Sequence, residues 1–350
     1  MRNINQATRA YARRLLQCLT VAVRPLRLEE LAEMLAFDFD SDEAPGDIPS
    51  LNADWRREDQ ERAVLSTCSS LITIVYDDNH ERVVQFSHFS VKEFLTSDRL
   101  AIASEDISFY HIALEPAHTI LAQACLGILL RLDVSTRQAI MQQFPLAEYA
   151  LKHWADHALF ENVSIRIKDG IEDLFDAEKP HFSQWIRVRG DKDRDYRWRD
   201  GVTQHQAAPI YFSAFCGFRD VFEKLIREHP EHVNTGGGRL GTALHAAVKK
   251  NHLIIVQSLL RHGADVNATG LWGRTPLLFA SESGYLEVVR WLLEYGADVN
   301  ARDKDDGMTS LHVAALAGYF EVSQTLLKHN ADTNAPDNTG CNANFDLLKG

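Results

Sequence analysis

The chain has 350 residues, 45% of them hydrophobic and 25% charged, with a formal net charge of −12, room for two or three domains with buried cores. Its acidic balance repels phosphate backbones and anionic bilayers, which argues against nucleic-acid and membrane partners and favours basic protein surfaces. Residues 1–9 lack the apolar run of a signal peptide, and the most apolar stretch, 120–132, is interrupted by Gln123 and too short to span a bilayer, so a cytoplasmic protein is expected.

From residue 8 to 21, Tyr11, Leu15, Leu16 and Leu19 recur at helical spacing, and Pro25 ends the run. A second helix is expected over 28–35. After an acidic loop, a third is expected over 58–71 with Ala63, Val64, Leu65 and Cys68 turned inward. The period then changes. Leu71-Ile-Thr-Ile-Val-Tyr76 and Arg82-Val-Val-Gln-Phe86 flank Asp77-Asp-Asn-His80 as a hairpin. Three helices and a hairpin make a winged-helix unit, residues 1–100. The third helix opens with Glu58-Asp-Gln-Glu61, which offers a DNA major groove no cation, so a DNA-associated regulator is only the alternative reading.

Residues 107–157 carry helical apolar patterns punctuated by Pro116 and Pro145, continued by 174–182 and Trp185; with a charged connector over 187–200 they form a helical spacer, 101–205. In the connector, aspartates cancel the field of Arg187, Arg189, Arg194, Arg197 and Arg199. Asp191, Asp193 and Asp195 imitate a calcium loop, but Tyr196 replaces its Gly and Val202 its final Glu. His153 and His157 stand one helical turn apart without the Glu of a zincin motif or an evident third ligand, so no metal site is expected. The five cysteines are scattered and form no C-x-x-C pair, as expected of buried thiols in a reducing compartment.

The last part repeats itself. Thr242-Ala-Leu-His245, Thr275-Pro-Leu-Leu278 and Thr309-Ser-Leu-His312 recur after 33 and 34 residues, each followed by Gly263-Ala-Asp-Val-Asn267, Gly296-Ala-Asp-Val-Asn300 or Asn330-Ala-Asp-Thr-Asn334. Period and vocabulary resemble ankyrin repeats. Each Thr is placed to cap a first helix, and Asn251, Gly284 and Gly318 to end it in the left-handed conformation. The second helices align Ile254, Ile255, Leu259 and Leu260; Val288, Val289, Leu292 and Leu293; and Val322, Leu326 and Leu327 as core stripes. A degenerate first repeat begins at Ala208, and a partial unit follows Gly340, capped by Phe345, Leu347 and Leu348 or truncated. The solenoid therefore spans 206–350, in a mostly α fold.

The N-terminal half carries a second resemblance. Arg14-Leu-Leu-Gln17, Arg24-Pro-Leu-Arg-Leu-Glu-Glu-Leu31 and Phe86-Ser-His-Phe-Ser-Val-Lys-Glu-Phe-Leu95 resemble the winged helix that follows the NACHT module in fungal NLR-like signal-transduction NTPases. The phrase Pro145-Leu-Ala-Glu-Tyr-Ala-Leu-Lys-His-Trp-Ala-Asp-His157 resembles part of that family's helical spacer. This resemblance implies a sensor end that works with a NACHT-type NTPase module, in cis or in trans. NTP hydrolysis itself does not carry over: no G-x-x-x-x-G-K-[ST] occurs, and Gly236-Gly-Gly-Arg-Leu-Gly241 lacks the Lys and hydroxyl.

What remains is a non-enzymatic interaction protein without cofactor. Its partner-binding residues are expected where the repeat leaves choice free, at the turn tips and the exposed ends of the first helices on the concave side: Lys249, Lys250, Leu271, Trp272, Arg274, Glu282, Lys304, Asp305, Met308 and Leu316. Leu271, Trp272 and Met308 are expected at the patch centre. One outcome tests the missing phosphate loop: the purified chain should show no saturable micromolar binding of a fluorescent ATP analogue. Saturable binding would reveal an unrecognised nucleotide site.

Overall fold

The computed structural model describes residues 9–39, 48–51, 62, 64–65, 70–133, 135–176, 178–189, 208–238 and 240–343, in two units divided between Asp191 and Lys192. In the first unit, α1 (Arg9–Val21) turns Ala12, Leu15, Leu16 and Cys18 into the core. β1 (Leu26–Arg27) follows, then α2 (Leu28–Glu33) and a 3-10 turn, Met34–Ala36, where a single helix over 28–35 is expected. β2 (Phe37–Asp38) pairs with β3 (Ser50–Leu51). Most of the expected third helix lies outside the described residues; Arg62, Val64 and Leu65 are helical and Val64 is buried.

The hairpin forms as its β-branched runs dictate. β4 (Ile72–Tyr76) and β5 (Arg82–Phe86) pair antiparallel with Ile74 opposite Val84, and β1 adds to β5 with Leu26 also opposite Val84, so the sheet order is β1-β5-β4. Short helices α3 (Phe89–Leu95), α4 (Asp98–Ala101) and α5 (Glu105–Ser108) lead to α6 (Leu114–Leu129). Pro116 punctuates the chain at the start of α6. It lies in the first turn of α6, where the N–H it lacks would have no intrahelical partner. The apolar run at 120–132 is largely this buried helix, and no helix among the described residues is long and apolar enough to cross a membrane.

Beyond α7 (Arg137–Gln143), α8 (Ala147–Ala158) buries Tyr149, Trp154 and His157, so the spacer phrase is core. Short α9 (Val163–Arg166) leads to α10 (Lys168–Phe175) and α11 (His181–Arg189), which bring Phe175, Phe182 and Trp185 around Trp154, the two indoles meeting edge to face with centroids 5.6 Å apart. Polar ties join this layer to the winged helix. Glu33 accepts from Leu146 N–H at 2.6 Å, and Tyr149 O–H accepts from Val23 N–H at 3.0 Å. Having accepted there, Tyr149 gives its proton to His157 Nε2 at 2.7 Å, so His157 donates from Nδ1 to His118 Nδ1 at 2.9 Å. Burial, with His118 nearby, pushes the His157 pKa down to about 3, which keeps that neutral chain intact. The charged connector from residue 190 onward lies outside the described residues.

Among its described residues the second unit stacks four helix pairs: α12 (Ala208–Cys216) with α13 (Arg219–Glu228), α14 (Ala243–Lys249) with α15 (Leu253–Arg261), α16 (Pro276–Glu282) with α17 (Leu286–Glu294), and α18 (Ser310–Leu316) with α19 (Phe320–Lys328). Thr242, Thr275 and Thr309 are the N-caps, and Asn251, Gly284 and Gly318 have φ of 56°, 73° and 75°. One stripe is shifted: Ile254 is exposed and Val256 is buried in its place, while Leu327 is only half-buried. Cys18, Cys125 and Cys216 are buried thiols, whereas Cys341 is exposed. It sits in a short C-terminal hairpin, where Pro336 bridges Asn342. The expected cap residues Phe345, Leu347 and Leu348 lie outside the described residues.

The caps and stops rank two substitutions. Thr275→Ala removes the acceptor for Leu278 N–H and should cost about 1 kcal/mol. Gly284→Val puts a branched side chain at φ 73° with its Cβ 2.6 Å from the Tyr319 ring, and should cost more than about 2 kcal/mol. Thermal melts of the full chain should rank them so, and the reverse order would displace the repeat boundaries.

Candidate functional site

Each turn tip of the second unit is tied to the next through its backbone. Leu271 N–H donates to Leu240 C=O at 3.1 Å, Lys304 N–H to Trp272 C=O at 2.8 Å, and Asn338 N–H to Asp306 C=O at 2.8 Å. Because main-chain atoms make these ties, they do not depend on which side chains stand at these tip positions. The caps add a second tie. In Thr242-Ala-Leu-His245, Nδ1 of His245 accepts from Thr242 N–H at 3.2 Å and from its hydroxyl at 2.9 Å, so the ring proton sits on Nε2 and is donated to Arg274 C=O at 3.2 Å. Burial pushes the His245 pKa down to about 4, consistent with that neutral tautomer. His312 repeats the arrangement onto Cys341 C=O at 3.2 Å.

On this scaffold Trp272 is held in an unusual state. Its φ of 57° is left-handed, a conformation that costs an ordinary residue about 1–2 kcal/mol, and Gly273 follows at φ 72°. Trp272 nevertheless stays 49% exposed, with the Arg274 guanidinium 5.7 Å from its ring centroid. Trp272 is thus a bulky residue in a conformation that favours glycine, with about half of its surface exposed.

Arg274 belongs to a chain of charges crossing three repeats. Lys249 pairs with Glu282 at 3.4 Å, Glu282 with Arg274 at 2.8 Å, and Arg274 with Asp303 at 3.5 Å. Burial alone would raise the Glu282 carboxyl; the hydrogen bond and charge of Arg274, with Lys249, outweigh it and hold the pKa below the usual Glu value. Asp303 is fully buried, and its other oxygen accepts from Asp306 N–H and Met308 N–H at 3.0 and 3.2 Å. This aspartate fixes a whole tip, yet sequence reasoning passed over it. Its signal was a carboxylate three residues before Asp306 and five before Met308, the spacing of a side chain that bonds its own loop.

The structure thus brings Lys249, Arg274 and Glu282 together, with Trp272 stacked near Arg274. Lys250 turns instead to Phe215, its ammonium 4.7 Å from the ring centroid. Leu271 and Met308 are half-buried, and Lys304 lays its stem across Gly273, where a Cβ would be 2.4 Å from its Cγ. Asp305 is exposed and its carbonyl accepts from Asn338 Nδ2 at 2.9 Å. Leu316 stands 72% exposed at the end of α18, in the position that Lys249 and Glu282 occupy seven residues past their own capping threonines.

The first unit presents a different surface. Three of its described winged-helix arginines are engaged by carboxylates: Arg24 and Arg27 with the buried Glu30 at 2.6 and 3.0 Å, Arg27 also with Glu81 and Glu148, and Arg82 with Glu29 at 2.8 Å. Cations so paired are poorly placed to neutralise phosphates. His153 bonds Asp156 at 3.1 Å, whereas His157 bonds Tyr149 and His118, so the two rings face different partners.

Residues 205–303 and 272–337 match the family model of ankyrin repeats, in three copies, and residues 1–106 match that of the winged helix domain of GPI inositol-deacylase. Azaphilone pigments biosynthesis cluster protein L of Monascus ruber is 30% identical over 271 residues, covering 72% of this chain and 55% of that protein. Alpha-latrocrustotoxin-Lt1a and alpha-latroinsectotoxin-Lt1a of Latrodectus tredecimguttatus are 39% and 40% identical over 62 and 63 residues, 18% of this chain and 4% of each toxin. The chain therefore spans about half the length of the Monascus ruber protein and a small fraction of the toxins.

The charge chain predicts a division of labour between neighbours on one tip. Arg274→Ala leaves Asp303 buried without its cation and should destabilise the chain by about 2 kcal/mol in urea denaturation. Adding Asp303→Asn should recover part of that loss. A neutral Arg274→Ala would move this residue out of the scaffold and into the contact surface.

Proposed function

We propose that this chain, an ankyrin-repeat protein with a winged helix domain of the GPI inositol-deacylase type at its N-terminus, is a non-enzymatic interaction protein whose repeats bind another protein around Trp272. Ankyrin repeats are interaction modules rather than catalytic ones, and a solenoid offers an extended face along which its repeats can contact a partner. The observation that carries the reading is Trp272 itself, left-handed at φ 57° and 49% exposed on a tip whose backbone is pinned to the next. Trp is the residue type most enriched among binding hot spots, and a pinned tip lets it bind without first losing freedom.

Around this centre, Leu316 supplies further exposed apolar surface, with Leu271 and Met308 partly covered and Lys304 and Asp305 as a polar rim. Lys249, Arg274 and Glu282 serve chiefly to hold the tip, their charges satisfied by one another. In the finer reading, the chain acts as the sensor or regulatory end of an NLR-like signalling receptor, alongside a NACHT-type NTPase module in cis or in trans. The N-terminal match and the shared architecture with the longer Monascus ruber protein support it. The paired arginines of the winged helix favour this over duplex DNA as the target.

Trp272→Ala in the full chain should weaken capture of the partner by about 2 kcal/mol or more while leaving the thermal melt nearly unchanged. The measurement is affinity capture with parent and variant as baits, followed by titration of the recovered protein. A variant that captures equally well, or that unfolds, would return Trp272 to the scaffold.

A further inference from the structure

The turn that closes the first repeat breaks the rule of the other three. Eight positions separate Leu259 from Asn267, Leu292 from Asn300 and Leu326 from Asn334, whereas nine separate Leu225 from Asn234. The later turns pass through a left-handed residue, Gly263, Gly296 or Asn330, with φ of 79°, 86° and 65°. The first reads His229-Pro-Glu-His-Val-Asn234 and makes a 3-10 turn, Pro230–His232, instead. Asn234 still performs its repeat's task, donating to Gly263 C=O at 3.0 Å and accepting from Asp265 N–H at 2.7 Å. The stack therefore does not require the extra residue, and the segment that contains it carries three metal-capable side chains.

Those side chains converge. One ligand atom from each of His229, Glu231 and His232 lies within 4.8 Å of the others. Glu231 Oε1 stands 3.5 Å from His229 Nδ1 and 3.7 Å from His232 Nε2, and the two rings lie nearly parallel at 18°. Both separations are longer than a good hydrogen bond and lie at ion-pair distance, so the exposed Glu231 carboxylate sits between the two imidazoles in weak contacts that an ion can replace. They approach the spacing of neighbouring ligands around one ion: for bonds of about 2.0–2.1 Å, a tetrahedral edge is about 3.3–3.4 Å. His232 is the anchored member, its side chain 18% exposed and its Nδ1 buried without a hydrogen-bond partner among the described residues, which leaves Nε2 as the nitrogen it offers. His229 and Glu231 are 42% and 62% exposed, enough for an ion to enter and for water to complete its sphere.

We propose that His229, Glu231 and His232 form a three-ligand site for a divalent transition-metal ion, zinc foremost, at the closing turn of the first repeat. Two imidazoles and one carboxylate match zinc, copper or nickel, whereas magnesium and calcium prefer all-oxygen shells. Bound there, the ion clips the turn of the least regular repeat and stabilises the folded state by mass action. The site is separate from the Trp272 tip and stands whether or not that surface binds a protein.

The test is calorimetric titration of the chelator-treated full chain with zinc, and with magnesium as the control. One saturable zinc site is expected, accompanied by a rise in Tm, with no magnesium uptake over the same range. His232→Ala and Glu231→Gln should each weaken zinc by roughly tenfold or more. Glu231→Gln, on an exposed side chain, keeps the test valid if His232→Ala lowers the metal-free Tm. Unchanged zinc affinity in Glu231→Gln, or equal uptake of magnesium, would overturn the site.

Discussion

The first three repeats of the second unit each complete their closing turns with hydrogen-bond partners from the repeat that follows. Asn234, Asn267 and Asn300 show this most plainly. Each donates from its amide to a carbonyl of the next turn, at Gly263, Gly296 and Asn330, and accepts the N–H of Asp265, Asp298 and Asp332. Each of these aspartates in turn accepts the N–H two residues on, at Asn267, Asn300 and Asn334. An isolated repeat would leave both its apolar stripe and these amides in water, so the unit's stability is a property of neighbours rather than of any one helix pair.

The first unit solves the same problem with buried charge and long-range side-chain bonds. Glu30 closes a capping box on Arg27 N–H while pairing with Arg24 and Arg27, so one buried carboxylate starts α2 and fixes two arginines. Arg27 then reaches Glu81 on the hairpin and Glu148 on α8. A buried charge with several partners adds little net stability but severely penalises any arrangement that leaves it unpaired, which makes it an orienting device.

Much of this was legible because local rules and global packing agree at the repeat signatures. A Thr that must cap, a Gly or Asn that must turn left, and an Asn that must bridge each accept few substitutes, so the pattern survives in the sequence. Pro116 was legible as punctuation, and it marks the first turn of α6. Ile254 misled because its apolar character is shared by the buried Ile255 and Val256, and a run of four apolar residues does not fix the phase of its helix. At the tip, Arg274 and Trp272 were both expected on the partner-binding surface, Trp272 at its centre. What separates them is Asp303, some thirty residues on and fully buried, and its pairing appears only once the repeats stack.

The tips are sewn together by main-chain atoms, and this bears on how such a protein changes through descent. A substitution at Trp272 alters no donor or acceptor in the bond from Lys304 N–H to Trp272 C=O, and the same holds at Leu240, Leu271 and Asp306. Heritable variation can therefore accumulate at these tip positions without cutting the main-chain ties, while the framework beneath tolerates less. Lineages of this chain would diverge in what they hold before they diverge in shape.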